Sequence, residues 1–196
     1  MSPRAGLDRV VVVDAAAALA DEEGFDDLSL ARLAKRLGVR KPSLYNHVAG
    51  LGGIRRELAL KGLRDLGQVL SSASTGRDGE AGLFSLAEAY RAFVKEHPGL
   101  YAATVMSYRI YAPDDPELGT AEGEVLQTVV SILASCGIRD EEAVHAARGL
   151  RAVAHGFATL EAAGGFGMPT DVEESFRRLV RTFVTGLRSR AAEREH

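Results

Sequence analysis

The chain of 196 residues contains a single cysteine, Cys136. One thiol excludes an intrachain disulfide and the multi-cysteine zinc sites, suits a reducing compartment, and is read as a small core hydrophobe. Nor does any apolar run approach the about 18 residues of a membrane-spanning helix. The apolar stretch from Val10 to Ala20 follows Arg4 and Arg9, but Asp14 interrupts it and Asp21, Glu22 and Glu23 close it. A signal peptide is therefore not expected there; the reading is a soluble, cytoplasmic protein with no membrane partner. Alternating strand patterns bounded by hairpin turns are missing. So are a G-x-S-x-G elbow, a phosphate-binding loop, an H-E-x-x-H motif and paired cysteines, and no catalytic residue, metal or cofactor is expected. His155 and Glu161, six apart, fall on different faces of a helix and make a poor metal pair.

Charge is unevenly spread. From Arg32 to Arg64 there are nine basic residues against one acid, Glu57, a local charge of +8, whereas residues 67–196 carry -5. A short basic region joined to a longer acidic one suits a nucleic-acid module attached to something else, although charge alone fits a solvated helix face better.

Apolar spacing of three and four predicts an all-α chain of about nine helices. The first, at about 8–23, places Val10, Val13, Ala17 and Ala20 on one side, with Gly24 expected to take the left-handed C-terminal position and Phe25 behind the next turn. The second starts at an N-cap, Ser29, carries Leu30, Leu33, Ala34 and Leu37, and stops at Gly38. The third, at about 42–48, has Pro42 in its first position. Gly50, Gly52 and Gly53 are expected to break the pattern before an amphipathic helix from about Leu51 or Ile54 to Leu70, and 71–79 reads as a flexible loop. Further helices are expected at about 82–96, 101–111, 117–135, 141–163 and 171–190, with His97, Pro98 and Gly99 separating the first two of these.

Two short helices joined by a turn have the spacing of a helix-turn-helix. A small Ala34 lets them cross closely, Gly38 permits the turn, and Val39 with Leu44 anchors the second helix. That helix presents Lys41, Ser43, Tyr45, Asn46 and His47, donors and an aromatic suited to base edges, phosphates and thymine methyls in a major groove.

The run Leu28-Ser-Leu-Ala-Arg-Leu-Ala-Lys-Arg-Leu-Gly-Val-Arg-Lys-Pro-Ser-Leu-Tyr-Asn-His-Val resembles the DNA-binding segment of the TetR family of bacterial transcriptional regulators, and the likeness extends over roughly residues 8–60. It implies an all-helical fold with a DNA-binding domain at 1–53 and a larger ligand-binding and dimerisation domain at 54–196. It also implies operator contacts: Lys41 and Ser43 to base edges, Tyr45 and His47 to phosphates, Asn46 to either, with Arg40 and Pro42 in the same DNA-facing set. Packing under the turn competes for Tyr45, and a hydrogen bond to the turn backbone competes for His47. Arg32, Lys35 and Arg36 read equally as phosphate contacts or as a solvated face. Many members open the fourth helix with a charged residue where this chain has Gly50-Leu51-Gly52-Gly53; Arg55 or Arg56 can substitute.

Farther along, His97-Pro98-Gly99-Leu100-Tyr101, His155-Gly156-Phe157, the Phe166-to-Pro169 loop and a last helix entered through Phe176 resemble one effector-domain branch of the family. That likeness implies a cavity for a small, often apolar molecule, for which Phe93, Tyr101, Val105, Met106, Tyr108, Phe157, Phe166 and Met168 are the candidate lining, although each taken singly reads first as ordinary core. It implies dimerisation through the last two helices, where Ala147, Leu150, Ala154, Phe176, Leu179, Val180, Phe183 and Leu187 form stripes that would equally serve the chain's own core. A homodimer also follows from DNA geometry, since one short helix reads too few bases to find a site. The expected function is a repressor that releases a palindromic double-stranded operator when an unidentified small molecule binds. The alternative is a helical protein-interaction module that keeps the helix-turn-helix as scaffold and does not bind DNA.

Overall fold

The computed structural model describes residues 7–105 and 114–194, with side chains through Ser189. Among the described residues there are nine helices and no strand: α1 Arg9–Glu23, α2 Leu30–Leu37, α3 Lys41–Leu44, α4 Gly50–Ser74, α5 Gly79–Glu96, α6 Pro98–Val105, α7 Pro116–Ser135, α8 Asp140–Ala162 and α9 Val172–Arg194. They group into two compact units, residues 1–63 with 97–119 and residues 64–96 with 120–196, and α4 contributes to both. This division by packing differs from a division by role at residue 53, because α6, although distant in sequence, packs on α1. Among the described residues no single helix is long and apolar enough to cross a membrane.

In the first unit, Asp8 caps α1 by accepting from the Val11 N–H at 2.8 Å. The buried face is Val12, Val13, Ala16, Ala17, Leu19 and Ala20, whereas Val10, expected on it, is 66% exposed. One residue of phase in a small-residue helix is enough to turn Val10 outward. Gly24 ends α1 at φ 98° and ψ 144°, a positive φ but not the left-handed helical conformation expected of it. Phe25 is buried behind the turn as expected, and the Arg55 guanidinium lies 5.3 Å above its ring.

Two expectations about α4 are corrected. Gly52 and Gly53 do not break it, because Ile54, Leu58, Ala59 and Leu60 directly behind them are buried, outweighing a propensity cost of about 1 kcal/mol per glycine. The helix also continues through the expected loop to Ser74, where the Ser74 and Thr75 hydroxyls both donate to the Ser71 carbonyl. Only Thr75 to Asp78 remain as the connection.

Pro98 begins α6 instead of separating two helices, since a helix start has no use for its missing N–H. Asp21 of α1 holds that start: Oδ1 accepts from the Leu100 N–H at 2.8 Å and Oδ2 lies 3.2 Å from His97 Nδ1. The next residue shows why glycine is required there. A Cβ on Gly99 would lie 2.0 Å from the Ala20 carbonyl oxygen, so α6 meets α1 backbone to backbone. Residues 106–111 of the expected 101–111 helix lie outside the described residues.

α7 starts where Asp115 accepts from the Glu117 and Leu118 N–H groups. The same carboxylate takes two bonds from Arg56 of α4, at 2.5 and 3.0 Å, and Glu117 takes a third at 2.6 Å. Arg56 holds the Asp115 carboxyl below the usual carboxylate range.

In the second unit, α5, α8 and α9 pack pairwise around Leu83, Leu86, Phe93, Leu150, Phe157 and Phe176. Gly149 lies under Phe183, whose ring a Cβ there would meet at 2.7 Å. Arg91, with its side chain 8% exposed, donates to Glu161 at 2.7 and 2.8 Å and to Glu173 at 2.6 Å, while its guanidinium stands 5.5 and 4.8 Å from the rings of Phe157 and Phe176. Lys95 adds a second cation to Glu161 at 2.8 Å. Cys136 is half-buried, and burial pushes its thiol up, away from nucleophilic character.

Candidate nucleic-acid interface

The turn between α2 and α3 is built from local signals. Ser29 caps α2 by accepting from the Arg32 N–H at 3.3 Å, and Gly38 ends it in the left-handed conformation, at φ 66° and ψ 28°. Val39 then returns its N–H to the Ala34 carbonyl at 3.0 Å. Leu30, Leu33 and Ala34 are buried on the inner face, and Leu44 and Val48 complete the same small core from across the turn, Leu44 with no exposure at all.

α3 is a shorter helix than the 42–48 expectation. It spans Lys41–Leu44, Pro42 is its second residue, and hydrogen-bonded turns carry the chain on to His47. The His47 and Val48 N–H groups both donate to the Leu44 carbonyl at 3.0 Å. With Leu44 fixed inward, Arg40, Lys41, Pro42, Tyr45 and Asn46 face outward, and Ser43 and His47 are half-buried. Tyr45 is 56% exposed and so does not pack under the turn. The His47 ring makes no hydrogen bond to the turn backbone among the described residues.

The cations around this surface divide in two. Arg40, Lys41 and Lys35 have no ion-pair partner among the described residues. Arg32 instead pairs with Glu23 at 2.6 Å, and Arg36 grips Glu22 through both terminal nitrogens at 2.6 and 2.8 Å. That grip pushes Glu22 below the ordinary carboxylate range and Arg36 above its own ordinary value. At the start of α4, the two arginines considered as substitutes for a missing charge are both engaged. Arg56 is held by Asp115, Glu117 and Glu57, and Arg55 lies half-buried over Phe25. Sequence reasoning missed these engagements because Asp115 and Glu117, at the start of α7, lie about sixty positions from Arg56.

Comparison with known proteins agrees with this geometry. Residues 12–47 match the family model for bacterial regulatory proteins of the tetR family, and residues 83–183 match that of the tetracyclin repressor-like C-terminal domain. The uncharacterized HTH-type transcriptional regulator YobS of Bacillus subtilis is 42% identical over 95% of this chain and 96% of its own. The chain belongs to the TetR family. It is a DNA-binding transcriptional regulator of the all-α class. The tetracycline repressor protein class G of Vibrio anguillarum is 32% identical over 76% of this chain and 65% of that one. A solved structure from Rhodococcus sp. RHA1, of a protein with unknown function, is 27% identical, covers 95% of this chain and 98% of that one, and superposes with a TM-score of 0.78.

Within this TetR-family chain, the residues expected to form a dimer interface separate. Ala147, Leu150, Ala154, Phe176 and Val180 are buried in their own unit, leaving Leu179 exposed and Phe183 and Leu187 half-buried. Periodicity finds an apolar stripe but cannot say which neighbour covers it. The candidate effector lining also divides. Phe93 and Phe157 are buried in the second unit and Tyr101 in the first, Val105 is 42% exposed, and Met106 and Tyr108 lie outside the described residues. Phe166 packs on Phe157 with ring centroids 4.6 Å apart yet keeps 37% exposure, and Met168 is 78% exposed, so the glycine-rich 163–171 loop holds both at the surface of its unit.

Proposed function

We propose that this regulator is a homodimeric repressor whose grip on a palindromic operator is released when a small molecule binds its C-terminal region, residues 54–196, and that residues 1–53 read the DNA. The observation that carries the reading is α3: a buried Leu44 fixes the element, and Lys41, Tyr45 and Asn46 stand outward beside Arg40 and Lys35, which have no ion-pair partner among the described residues. Lys41 and Ser43 are assigned to base edges, Tyr45 and His47 to phosphates, and Asn46 to either. Pairing of two chains is supported by Leu179, Phe183 and Leu187, spaced at four on α9 and left exposed or half-buried there. In a dimer the two α3 elements enter successive major grooves about 34–36 Å apart, so a change in their separation disfavours DNA. The Asp21–Leu100 bond and the Gly99 contact tie α6 to the helix that precedes the reading motif, which supports α6 as the element an effector would displace. Coupling of this kind is reciprocal, so operator DNA must weaken effector binding by the same factor.

The test is selection of bound fragments from the source genome by the purified protein at moderate salt, followed by sequencing, alongside sedimentation. Enrichment of an inverted repeat, and a dimer at micromolar concentration, are expected. A monomer at that concentration, or salt-insensitive retention without any enriched sequence, counts against the proposal and favours the interaction-module alternative.

A further inference from the structure

Resting on the DNA-binding reading above, one arrangement on α2 carries a further assignment. Arg32, Lys35 and Arg36 are spaced at three and four and share one exposed stripe of the first helix of the reading motif, with Arg40 and Lys41 following across the Gly38 turn. The stripe borders an open groove with Leu19, Glu23 and Asp27. Two of its three cations are not available to a phosphate. The last turn of α1 sends Glu22 to Arg36 as a two-point fork at 2.6 and 2.8 Å, and Glu23 to Arg32 at 2.6 Å. A carboxylate offers arginine the same planar pair of acceptors that a backbone phosphate does. Any DNA contact by these arginines must first displace a carboxylate fixed by its own helix. All four side chains keep at least a third of their surface exposed, so displacement is physically open.

We propose that Glu22 and Glu23 act as internal phosphate mimics, restraining Arg36 and Arg32 from sequence-independent binding to the DNA backbone and leaving discrimination to α3. Backbone binding is where the arginines would otherwise act: each neutralised phosphate strengthens attachment to every sequence equally, and a genome presents such sites in vast excess. The two acids therefore raise the ratio of specific to non-specific binding without touching a base. A role confined to fastening α1 to α2 would change thermal stability but not the salt dependence of DNA binding.

The experiment compares the full-length protein with Glu22→Gln/Glu23→Gln and with Asp26→Asn/Asp27→Asn, which removes the same charge from exposed neighbours that hold neither arginine. Binding to a mixed-sequence duplex is followed by fluorescence anisotropy across a salt series. For the first variant, affinity is expected to rise about fivefold, the order set by exchanging two exposed ion pairs. Its log–log salt slope is expected to steepen by up to about 2 for each chain that engages the duplex, one phosphate per freed arginine. The aspartate control should show less than half of either change. Equal changes in both variants, or no change in either, overturn the proposal while leaving the DNA-binding reading intact. If the wild-type protein shows no salt-sensitive duplex binding at all, the DNA-binding reading falls and this assignment falls with it.

Discussion

Arg91→Met is expected to lower stability by about 3 kcal/mol, at the lower end of the range for removing one partner of a buried ion pair. The arginine bridges three helices of the second unit, reaching Glu161 at the end of α8 and Glu173 at the start of α9 from a position on α5 between two phenylalanine rings. Methionine keeps most of the stem between those rings but leaves Glu161, whose side chain is 16% exposed, with only Lys95. For a chain of this length that loss corresponds to a fall in melting temperature of about 6–12 °C. Adding Glu161→Leu should recover more than half of it, because the second change removes the stranded charge. A single variant that melts within about 2 °C of wild type would show that the cluster is a surface pair in effect. The cluster also sets an acid limit. Arg91, and secondarily Lys95, lower the Glu161 carboxyl from an ordinary 4.5 to about 2. Since the folded value lies below the unfolded one, this stabilisation is complete above the unfolded value of 4.5 and fades as the pH falls through it toward 2. Urea midpoints taken down the pH scale should fall less steeply through that window in Arg91→Met than in wild type.

Gly99→Ala is expected to be at least as damaging, about 3 kcal/mol or more, the upper part of the range for overpacking. Its new methyl would meet the Ala20 carbonyl carbon and oxygen at 2.1 and 2.0 Å, and neither belongs to a side chain that can swing away. Gly62→Ala should cost less, because its closest obstacle at 2.6 Å is the Thr104 methyl, although the Leu100 carbonyl oxygen follows at 2.9 Å. Gly119→Ala meets nothing within 4 Å and should be neutral or stabilising by up to about 1 kcal/mol, the usual helix-interior gain. Urea denaturation of the three variants should rank them in that order. A Gly99→Ala protein as stable as Gly119→Ala would mean that α1 and α6 do not meet backbone to backbone.

What was legible in the sequence was local. The Ser29 cap, the left-handed Gly38 and the burial of Leu33 and Leu44 each depend on residues within a few positions of one another, and each stands where the pattern placed it. The reading motif and the all-α class followed from them. Non-local matters were not legible. A glycine cluster that ought to stand outside a helix forms the first turn of one because buried Ile54 and Leu58 hold it. In the sequence Arg55 or Arg56 reads as a substitute phosphate contact, yet Arg56 is held by Asp115, just before α7, and by Glu117 within it. Arg32 and Arg36 look alike in sequence to Lys35, yet only the two arginines meet acids from α1. The stripe on α8 and α9 had the right period for a partner surface, but Leu150, Phe176 and Val180 spend it on their own core.

The central claim is that the short α3 element reads DNA sequence through side chains that Leu44 holds outward. The most direct measurement is the dissociation constant of wild type and Lys41→Ala on the selected operator and on a mixed-sequence duplex at the same salt. If Lys41 contacts a base, operator affinity should fall by about 1–3 kcal/mol for each copy of α3 that engages, and mixed-sequence affinity by distinctly less. Operator affinity that is unchanged, or that falls no more than mixed-sequence affinity, would contradict the claim that Lys41 reads sequence from α3.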